Sequence, residues 1–333
     1  MKHGSTSIAM HVLGAVSGIG SLFMIVALLR DRNMKITLYS RVVLYMACCD
    51  FIGAISYSFG LVKDRSPLCW VQAIMTNVFP VAGIFWTTIL AYLLFSVIST
   101  GKMMKELSLG IHLFCFVLPI ILTLLPLSTN RYGARGDYGW CFIDNRSDSP
   151  EWSQTFWVIA SFYLWIWIAI ILFIALYAFI IWRLQLVRNE MVKMSVNNII
   201  WYPLAVVVCW CLPTIYDITY SLDKSRTMRE NGVFFNFSFL SPMFQGTLNT
   251  IIFFTTNENA RDVLRQFLWS MPCLGRSRAD DEDASSVVVT TVISPPFAVA
   301  SDNGKLQGST QGGLAGSDRS VDVEFSSVGR RLP

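Results

Sequence analysis

Residues 155–182 read TFWVIASFYLWIWIAIILFIALYAFIIW, a run without a charged side chain. A helix needs about 20 mainly apolar residues to cross a hydrocarbon core about 30 Å thick, so this stretch is long enough to span a bilayer. The whole chain of 333 residues has the same character, with 53% hydrophobic and 14% charged residues. Soluble domains carry about 25% charged residues, so the composition excludes a single soluble core and predicts a membrane protein.

Seven apolar stretches of this kind occur along the chain. Backbone polar groups in lipid must be satisfied within the protein, and these stretches lack the alternation of membrane strands, which excludes a β-barrel. The expected fold is an all-α membrane protein, a seven-transmembrane helix bundle of residues 1–256. The predicted spans are 7–29, 42–62, 69–99, 110–128, 154–182, 197–220 and 233–256.

The orientation of the bundle is predicted from its loops. Lysines and arginines divide nine to eight between the two sides, which decides nothing. Cys69 and Cys141 fall on one side, and loop thiols in an oxidising compartment are expected to pair, although two free thiols remain the alternative. Asn145 begins an Asn-Arg-Ser glycosylation acceptor on the same side. We therefore expect the N-terminus outside, the C-terminus in the cytoplasm, and no ligand-binding domain ahead of the first span.

Asp50 is the carboxylate that falls deep within a predicted span. Burying a charge among membrane helices is costly, and such residues usually face the bundle interior. Asp50 is either a switch that changes partners when helices move, linked to an ion or water, or a hydrogen-bonded residue that only holds helices together. The switch is the favoured interpretation.

Spans six and seven carry proline and polar motifs. Trp210 precedes Pro213, and a proline inside a helix removes a hydrogen bond and bends it, with plain packing as the alternative. Gln245 and Asn249 are four residues apart, hence on one helix face, and Gly246 permits close approach of a neighbouring helix. We predict that this polar stripe faces the bundle.

Several aromatic and polar side chains fall near the outer ends of the spans. Small-molecule sites between helices combine aromatic walls with a few polar groups. Tryptophan and tyrosine also form ordinary interfacial belts, so the belt stays an alternative for each aromatic residue. The candidates for a ligand pocket are Asn77, Trp157, Tyr216 and Asp217.

Taken in order along the spans, these motifs resemble G-protein-coupled receptors, and more closely the cyclic-AMP receptor-like family, which is related to the secretin-like receptors. The Asp-Arg-Tyr and Asn-Pro-x-x-Tyr motifs of rhodopsin-like receptors are absent from the corresponding positions. The resemblance rests on Arg41-Val42-Val43-Leu44-Tyr45 leading to Asp50, Cys69-Trp70, Asn130-Arg131-Tyr132-Gly133 with Gly139-Trp140-Cys141-Phe142-Ile143, Tyr202-Pro203 with Cys209-Trp210, and Phe244-Gln245-Gly246 with Asn249.

The resemblance implies a plasma-membrane receptor that passes an extracellular ligand signal to a heterotrimeric G protein, with a cyclic nucleotide as one candidate ligand. The expected G-protein contact includes Arg183, Arg188 and Lys193 at the inner side of spans five and six. No cofactor is expected.

The segment after span seven is expected to lie on the cytoplasmic side. Residues 257–273 predict an amphipathic helix in contact with membrane lipid, and Cys273 at its end is a candidate for palmitoylation, against a plain helix with an unmodified thiol. Residues 274–333 are poor in aromatic residues and predict a disordered tail. Ser285 and Ser286 follow an acidic run and are candidate phosphorylation sites that would recruit arrestin, against an unmodified tail.

Other function classes lack the residues that they need. The chain has three histidines, so a multi-histidine metal site and a metal-dependent membrane enzyme are not expected. A retinal protein needs a lysine within a span, and the predicted spans contain none. A net charge of +4 is too small and dispersed to indicate nucleic acid. A small-solute transporter remains the alternative to a receptor.

Overall fold

A computed structural model describes residues 2–30, 37–100, 104, 106–134, 138–143, 151–184, 199–222, 237, 238 and 240–270. The chain divides into two units, Met1–Val287 and Val288–Pro333, and every described residue belongs to the first. Of the residues singled out above, Asn145, Arg188, Lys193, Cys273, Ser285 and Ser286 lie outside the described part, as does the side chain of Asp217.

The described part is built almost entirely from helices. Proline, π-helical and 3₁₀ turns interrupt several of them. The elements are α1 (Lys2–Arg30), α2 (Leu38–Ser58), α3 (Pro67–Thr100), α4 (Leu109–Ser128), α5 (Glu151–Val158, Ile159–Tyr163 and Leu164–Leu184), α6 (Trp201–Leu222), α7 (Gln245–Thr256, after a 3₁₀ turn at Ser241–Phe244) and α8 (Glu258–Ser270).

Helices α1 to α5 are long and apolar enough to cross a membrane, and α6 contains a shorter apolar helix, Trp201–Tyr216. The outward faces of these helices are apolar as well. Ile171 and Ile174 of α5 are 65% and 62% exposed. A helix that is hydrophobic all round and only partly covered by protein suits lipid rather than water. The chain is therefore a helical membrane protein.

The predicted span two lies about one helical turn later in the sequence than helix α2. Residues 42–62 were expected, but α2 begins at Leu38 because the Thr37 side chain accepts a hydrogen bond from the Ser40 amide, 3.2 Å away, and caps the helix. The helix ends at Ser58, ahead of Gly60, whose φ of 65° is in the left-handed region. The charged Arg41, which limited the apolar run, falls in the first turn of α2 and is exposed.

Small residues bring α1 close to its neighbours. A Cβ at Gly20 would lie 2.8 Å from the Thr250 hydroxyl of α7, and one at Gly14 would lie 2.9 Å from the Ser58 hydroxyl of α2. Lipid offers no hydrophobic drive between helices, so close backbone packing supplies much of the attraction. Helix α3 lies inside the bundle and contacts α2, α5 and α6.

Helices α4 and α5 each contain a π-helical turn, Leu113–Val117 and Ile159–Tyr163. A π turn adds one residue and leaves a carbonyl without its usual partner, and such turns are frequent at functional sites. In α5 the indole Nε1 of Trp165 donates to the Ala160 carbonyl at 3.0 Å. Nothing in the sequence predicted these turns.

Among the described residues, four short strands lie at the end of the bundle where α2 and α4 finish and α3 begins; we call this the disulfide end. Strand β2 (Tyr132–Ala134) pairs antiparallel with β4 (Cys141–Ile143), and β1 (Val62–Lys63) pairs antiparallel with β3 (Tyr138–Gly139). The paired strands β2 and β4, here called the cap, pack over a small cluster that includes Cys69 and Ala73 of α3.

Candidate functional site

The centre of the bundle contains a polar contact between α2 and α7. Asn249 Nδ2 donates to Asp50 Oδ2 at 2.7 Å, and Asn249 is completely buried. The Oδ1 atom of Asn249 is enclosed and has no hydrogen-bond partner. Within the described residues no lysine, arginine or histidine forms an ion pair with Asp50. The carboxylate is therefore held by a neutral amide rather than by a counter-charge.

A second polar contact joins α6 to α7 one turn away. Trp210 Nε1 donates to Gln245 Oε1 at 2.6 Å, and both side chains are buried. Gln245 and Asn249 lie on the same face of α7, in the polar stripe predicted from their spacing. The bend residue Pro213 lies within α6, one turn beyond Trp210. Pro203 lies in the first turn of α6, where a missing amide costs little and no bend results.

A cavity of about 20 Å³ lies between these two contacts. Such a volume holds about one water molecule. Its polar walls are the Asp50 carboxylate and the side chains around it, so it belongs to the centre of the bundle rather than to a ligand-sized pocket. The cavity is lined by Ser17, Cys49, Asp50, Gly53, Tyr57, Pro80, Trp210, Pro242, Gln245 and Gly246.

Gly246 brings α1 against this centre. A Cβ built at Gly246 would meet the hydroxyl of Ser17, would lie 3.0 Å from the hydroxyl of Ser21 and 3.3 Å from Asp50 Cβ. The Ser21 hydroxyl is buried without a partner. The close approach predicted for Gly246 thus takes place, and its neighbours include the carboxylate residue itself.

Gln72, which the sequence did not single out, links three segments at the disulfide end. Gln72 Nε2 donates to the carbonyl of Gly60 at 2.9 Å, while its Oε1 accepts the amide of Cys141 at 3.1 Å. Cys141 is joined to Cys69 by the predicted disulfide. The available signal was spacing, since Gln72 follows Cys69 by three residues and so shares its helix face.

Two further bonds fix the cap. Tyr132 donates its hydroxyl to the Thr123 carbonyl of α4 at 3.0 Å, and Asp64 Oδ1 accepts the Ala134 amide at 2.8 Å. Burial raises the pKa of the Tyr132 hydroxyl, so the donor stays protonated. The cap is therefore fixed from α4 and from the loop after α2, as well as by the disulfide.

The cap contacts the centre of the bundle through aromatic rings. Phe142 of β4 meets Phe162 of α5 edge to face, with ring centroids 5.3 Å apart. Phe162 in turn meets Trp210 at 5.4 Å. These three rings connect the cap to the Trp210–Gln245 contact without an intervening residue.

The other pocket candidates lie on three helices, α3, α5 and α6. Asn77 is buried in α3, where Nδ2 donates to the Ala73 carbonyl at 2.7 Å and Oδ1 is enclosed without a partner. Trp157 of α5 packs against the cluster beneath the cap, and Tyr216 is buried in α6. Asn77 thus has an unused acceptor inside the bundle.

At the end of the bundle opposite the disulfide end, Arg183 of α5 is stacked on aromatic rings. Its guanidinium carbon lies 5.6 Å from the ring centroid of Phe179 and 5.5 Å from that of Trp182. Its Nε atom is enclosed and has no hydrogen-bond partner. Stacking of this kind is favourable and places the guanidinium at the end of α5.

Helix α8 follows α7 after Asn257. The Asn257 side chain accepts the Ala260 amide at 3.2 Å and so caps the helix. Exposed ion pairs join Arg261 to Glu258 at 3.1 Å and Arg265 to Asp262 at 3.5 Å. Exposed pairs of this kind contribute little, so packing holds α8: Ala260 is completely buried, and Val263 packs against the core of the bundle.

Two comparisons with known proteins bear on this site. Residues 187–262 match a family described as "G protein-coupled glucose receptor regulating Gpa2 C-term". G-protein coupled receptor 157 of Mus musculus is 26% identical over 146 residues, which are 41% of this chain and 43% of the relative. The protein of the same name from Homo sapiens is 23% identical over 146 residues, 41% of this chain and 42% of the relative.

In the matched region the chain spans less than half the length of these curated relatives, at 43% and 42%. The similar proteins are receptors and not enzymes. They support a receptor that signals to a G protein, and they give no support to a closer relationship with the cyclic-AMP receptor-like or secretin-like families.

Proposed function

We propose that the chain is a seven-helix receptor of the plasma membrane that passes an extracellular ligand signal to a heterotrimeric G protein. Helices α1 to α5, together with α6 and the predicted seventh span, residues 233–256, would supply the seven spans. The disulfide favours an oxidising compartment at its end of the bundle, hence the N-terminus outside and the C-terminus in the cytoplasm.

The observation that carries this proposal is the pair of buried polar contacts on α7. Asp50–Asn249 ties α7 to α2, and Trp210–Gln245 ties it to α6. Buried hydrogen bonds have few partners to choose from, so a bundle held in this way changes between discrete arrangements rather than continuously. A ligand that binds one arrangement more tightly shifts the population toward it.

Asp50 is the residue that we assign to the switch. Replacing Asp50 with Asn keeps an oxygen acceptor for Asn249 but removes the ionisable carboxyl group. We expect Asp50→Asn to change the activation of the G protein without loss of surface expression. A variant that binds and signals as the wild type would show that Asp50 only holds helices together.

The proposed ligand site lies between the cap and Trp210. The enclosed Oδ1 of Asn77 would accept a hydrogen bond from a hydroxyl or amine of the ligand. Trp157, Tyr216 and Asp217 are the other proposed contacts. Glucose, from the description of the matched family, and a cyclic nucleotide, from the sequence resemblance, both carry hydroxyl donors and are the first compounds to test.

The test uses the full chain in lipid vesicles together with a purified heterotrimeric G protein. GDP–GTP exchange is measured with glucose, with cyclic AMP and with no addition, and uptake of the same radiolabelled compounds is measured in the same vesicles. Exchange that depends on the chain supports the receptor. Uptake without any exchange would instead establish the transporter.

The remaining assignments belong to the same proposal. Residues 257–273 would lie on the inner membrane surface, with Cys273 palmitoylated, and residues 274–333 would form a cytoplasmic tail that binds arrestin after phosphorylation. Mass spectrometry of the intact protein tests every proposed modification. The proposed modification and G-protein contact sites are Asn145 for glycosylation, Ser285 and Ser286 for phosphorylation, and Arg183, Arg188 and Lys193 for the G protein.

A further inference from the structure

The cap does more than cover the bundle, because one of its side chains reaches the centre. Cys141 and Ile143 point into the cluster beneath the cap and are 0% and 3% exposed. Phe142 lies between them in β4 and therefore points to the opposite face. Its register partner in β2 is Gly133, which offers no side chain to pack on. Phe142 packs partly against the same cluster, and its ring meets Phe162 of α5 edge to face.

The backbone next to Phe142 is held in place by the contacts of Cys141. The preceding residue, Cys141, is joined to α3 by the disulfide, and its amide is bonded to Gln72 Oε1 at 3.1 Å. The ring of Phe162 belongs to the π turn of α5, which begins at Ile159. In this turn Ser161 donates a hydrogen bond to the Trp157 carbonyl. Both rings are therefore positioned by backbone features rather than by free side-chain rotation.

Phe162 transmits this contact to α6. It meets Trp210 edge to face at 5.4 Å, and the indole Nε1 of Trp210 is bonded to Gln245 of α7. Trp210 therefore has one partner on α5 and one on α7, and a movement of α6 about Pro213 that takes Trp210 out of this position loses both contacts. The seated cap consequently favours the arrangement in which Trp210 and Gln245 are bonded.

We propose that Phe142 is a built-in restraint on the receptor: it holds Phe162 against Trp210, and a ligand activates by taking the place of the Phe142 ring. This inference rests on the proposed function and deepens it, since it assigns the regulation of that site to a residue of the chain. Phe142 is a positioning residue, because it acts on Trp210 through Phe162.

The size of the effect follows from the contact that is lost. An edge-to-face aromatic pair changes a two-state equilibrium by roughly 2- to 12-fold. Replacing Phe142 with Ala should raise ligand-free GDP–GTP exchange on the G protein by about this factor. Phe162→Ala should do the same, and the double variant should exceed neither single variant by much, because both changes break one chain of contacts.

The experiment uses the full chain in lipid nanodiscs, without any added ligand. Phe156→Ala is the matched control, because Phe156 lies on α5 like Phe162, is 52% exposed and, within the part of the chain that the structure describes, has a ring contact with Trp157 alone. Phe142→Leu keeps apolar bulk and serves if the alanine variant does not fold. Hydrogen–deuterium exchange of the amides of residues 205–216 in α6 gives a second measurement that needs no G protein.

Faster amide exchange in α6 and faster nucleotide exchange for Phe142→Ala, with neither change for Phe156→Ala, support the restraint. If nucleotide exchange is zero for every variant, the G-protein assignment fails while faster amide exchange still supports the restraint. Unchanged amide exchange in a folded Phe142→Ala protein overturns the inference. Lower ligand-free nucleotide exchange in that variant also overturns it, because the cap would then activate the bundle.

Discussion

Replacing Gly246 with Ala tests the packing that holds the centre of the bundle. The added methyl group would meet the Ser17 hydroxyl, would lie 3.0 Å from the Ser21 hydroxyl and 3.3 Å from Asp50 Cβ. The two hydroxyls can rotate away, but Asp50 Cβ is fixed to the α2 backbone. Relief therefore requires α7 to move away from α2, which also lengthens the bond between Asn249 and Asp50.

The expected magnitude combines two opposing effects. Adding a methyl group to filled space costs about 1–3 kcal/mol, and the higher helix propensity of alanine over glycine returns about 1 kcal/mol. Because one of the three contacts cannot relax, we expect a net loss of about 1–2 kcal/mol, hence a melting midpoint lower by roughly 2–8 °C. The assay is heating of the detergent-solubilised chain, followed by the amount of monomer that remains on gel filtration.

Gly53 provides the matched control, since a Cβ there has no atom within 4 Å. Gly53→Ala gains helix propensity without a clash, so its midpoint should equal or exceed that of the wild type. Ser17→Ala in the Gly246→Ala background should recover part of the loss, because it removes the closest obstacle. If Gly246→Ala melts at the same temperature as Gly53→Ala, the close approach of α1, α2 and α7 is not what stabilises this region.

Three other substitutions test the cap and the π turn, each by the same heating assay. Tyr132→Phe removes the bond to the Thr123 carbonyl and should cost about 0.5–1.5 kcal/mol or more. Cys69→Ser removes the disulfide that closes a loop of 72 residues, and the gain in chain entropy of the unfolded state should lower the stability by about 4 kcal/mol. Chemical reduction of the wild type should lower its stability by the same amount. Trp165→Phe leaves the Ala160 carbonyl unbonded and should cost about 1–3 kcal/mol, with no change on reduction.

Five of the predicted spans correspond to membrane-length helices in the described residues, and they could be predicted from the sequence because lipid imposes a simple rule on composition. Asp50 and the pair Gln245 and Asn249 stood out for the same reason, since polar residues are rare where apolar residues are required. The disulfide was predictable because two loop cysteines fell on one side of the bundle. In each case the signal lay within one helix or depended only on which side of the membrane a residue occupies.

The remaining features depend on contacts between residues far apart in the chain. The three-residue strands of the cap pair where Gln72 and the disulfide hold Cys141 beside α3. The start of α2 was misplaced because a search for uncharged runs excludes Arg41, which an exposed first turn accommodates. The Phe142–Phe162–Trp210 contact requires a π turn, for which the sequence gave no periodic signal.

The proposed switch requires α6 to change its position in the bundle when the chain activates a G protein, since the bond of Trp210 to Gln245 ties α6 to α7. Arg41 and Trp201 are exposed residues in the first turns of α2 and α6. Spin labels attached at Arg41→Cys and Trp201→Cys report the distance between the starts of these two helices by double electron–electron resonance. In nanodiscs with nucleotide-free G protein, we expect a second, longer distance between the labels. Asp50→Asn should change the fraction of molecules that show this longer distance. A single distance that stays the same while the G protein exchanges nucleotide would contradict it.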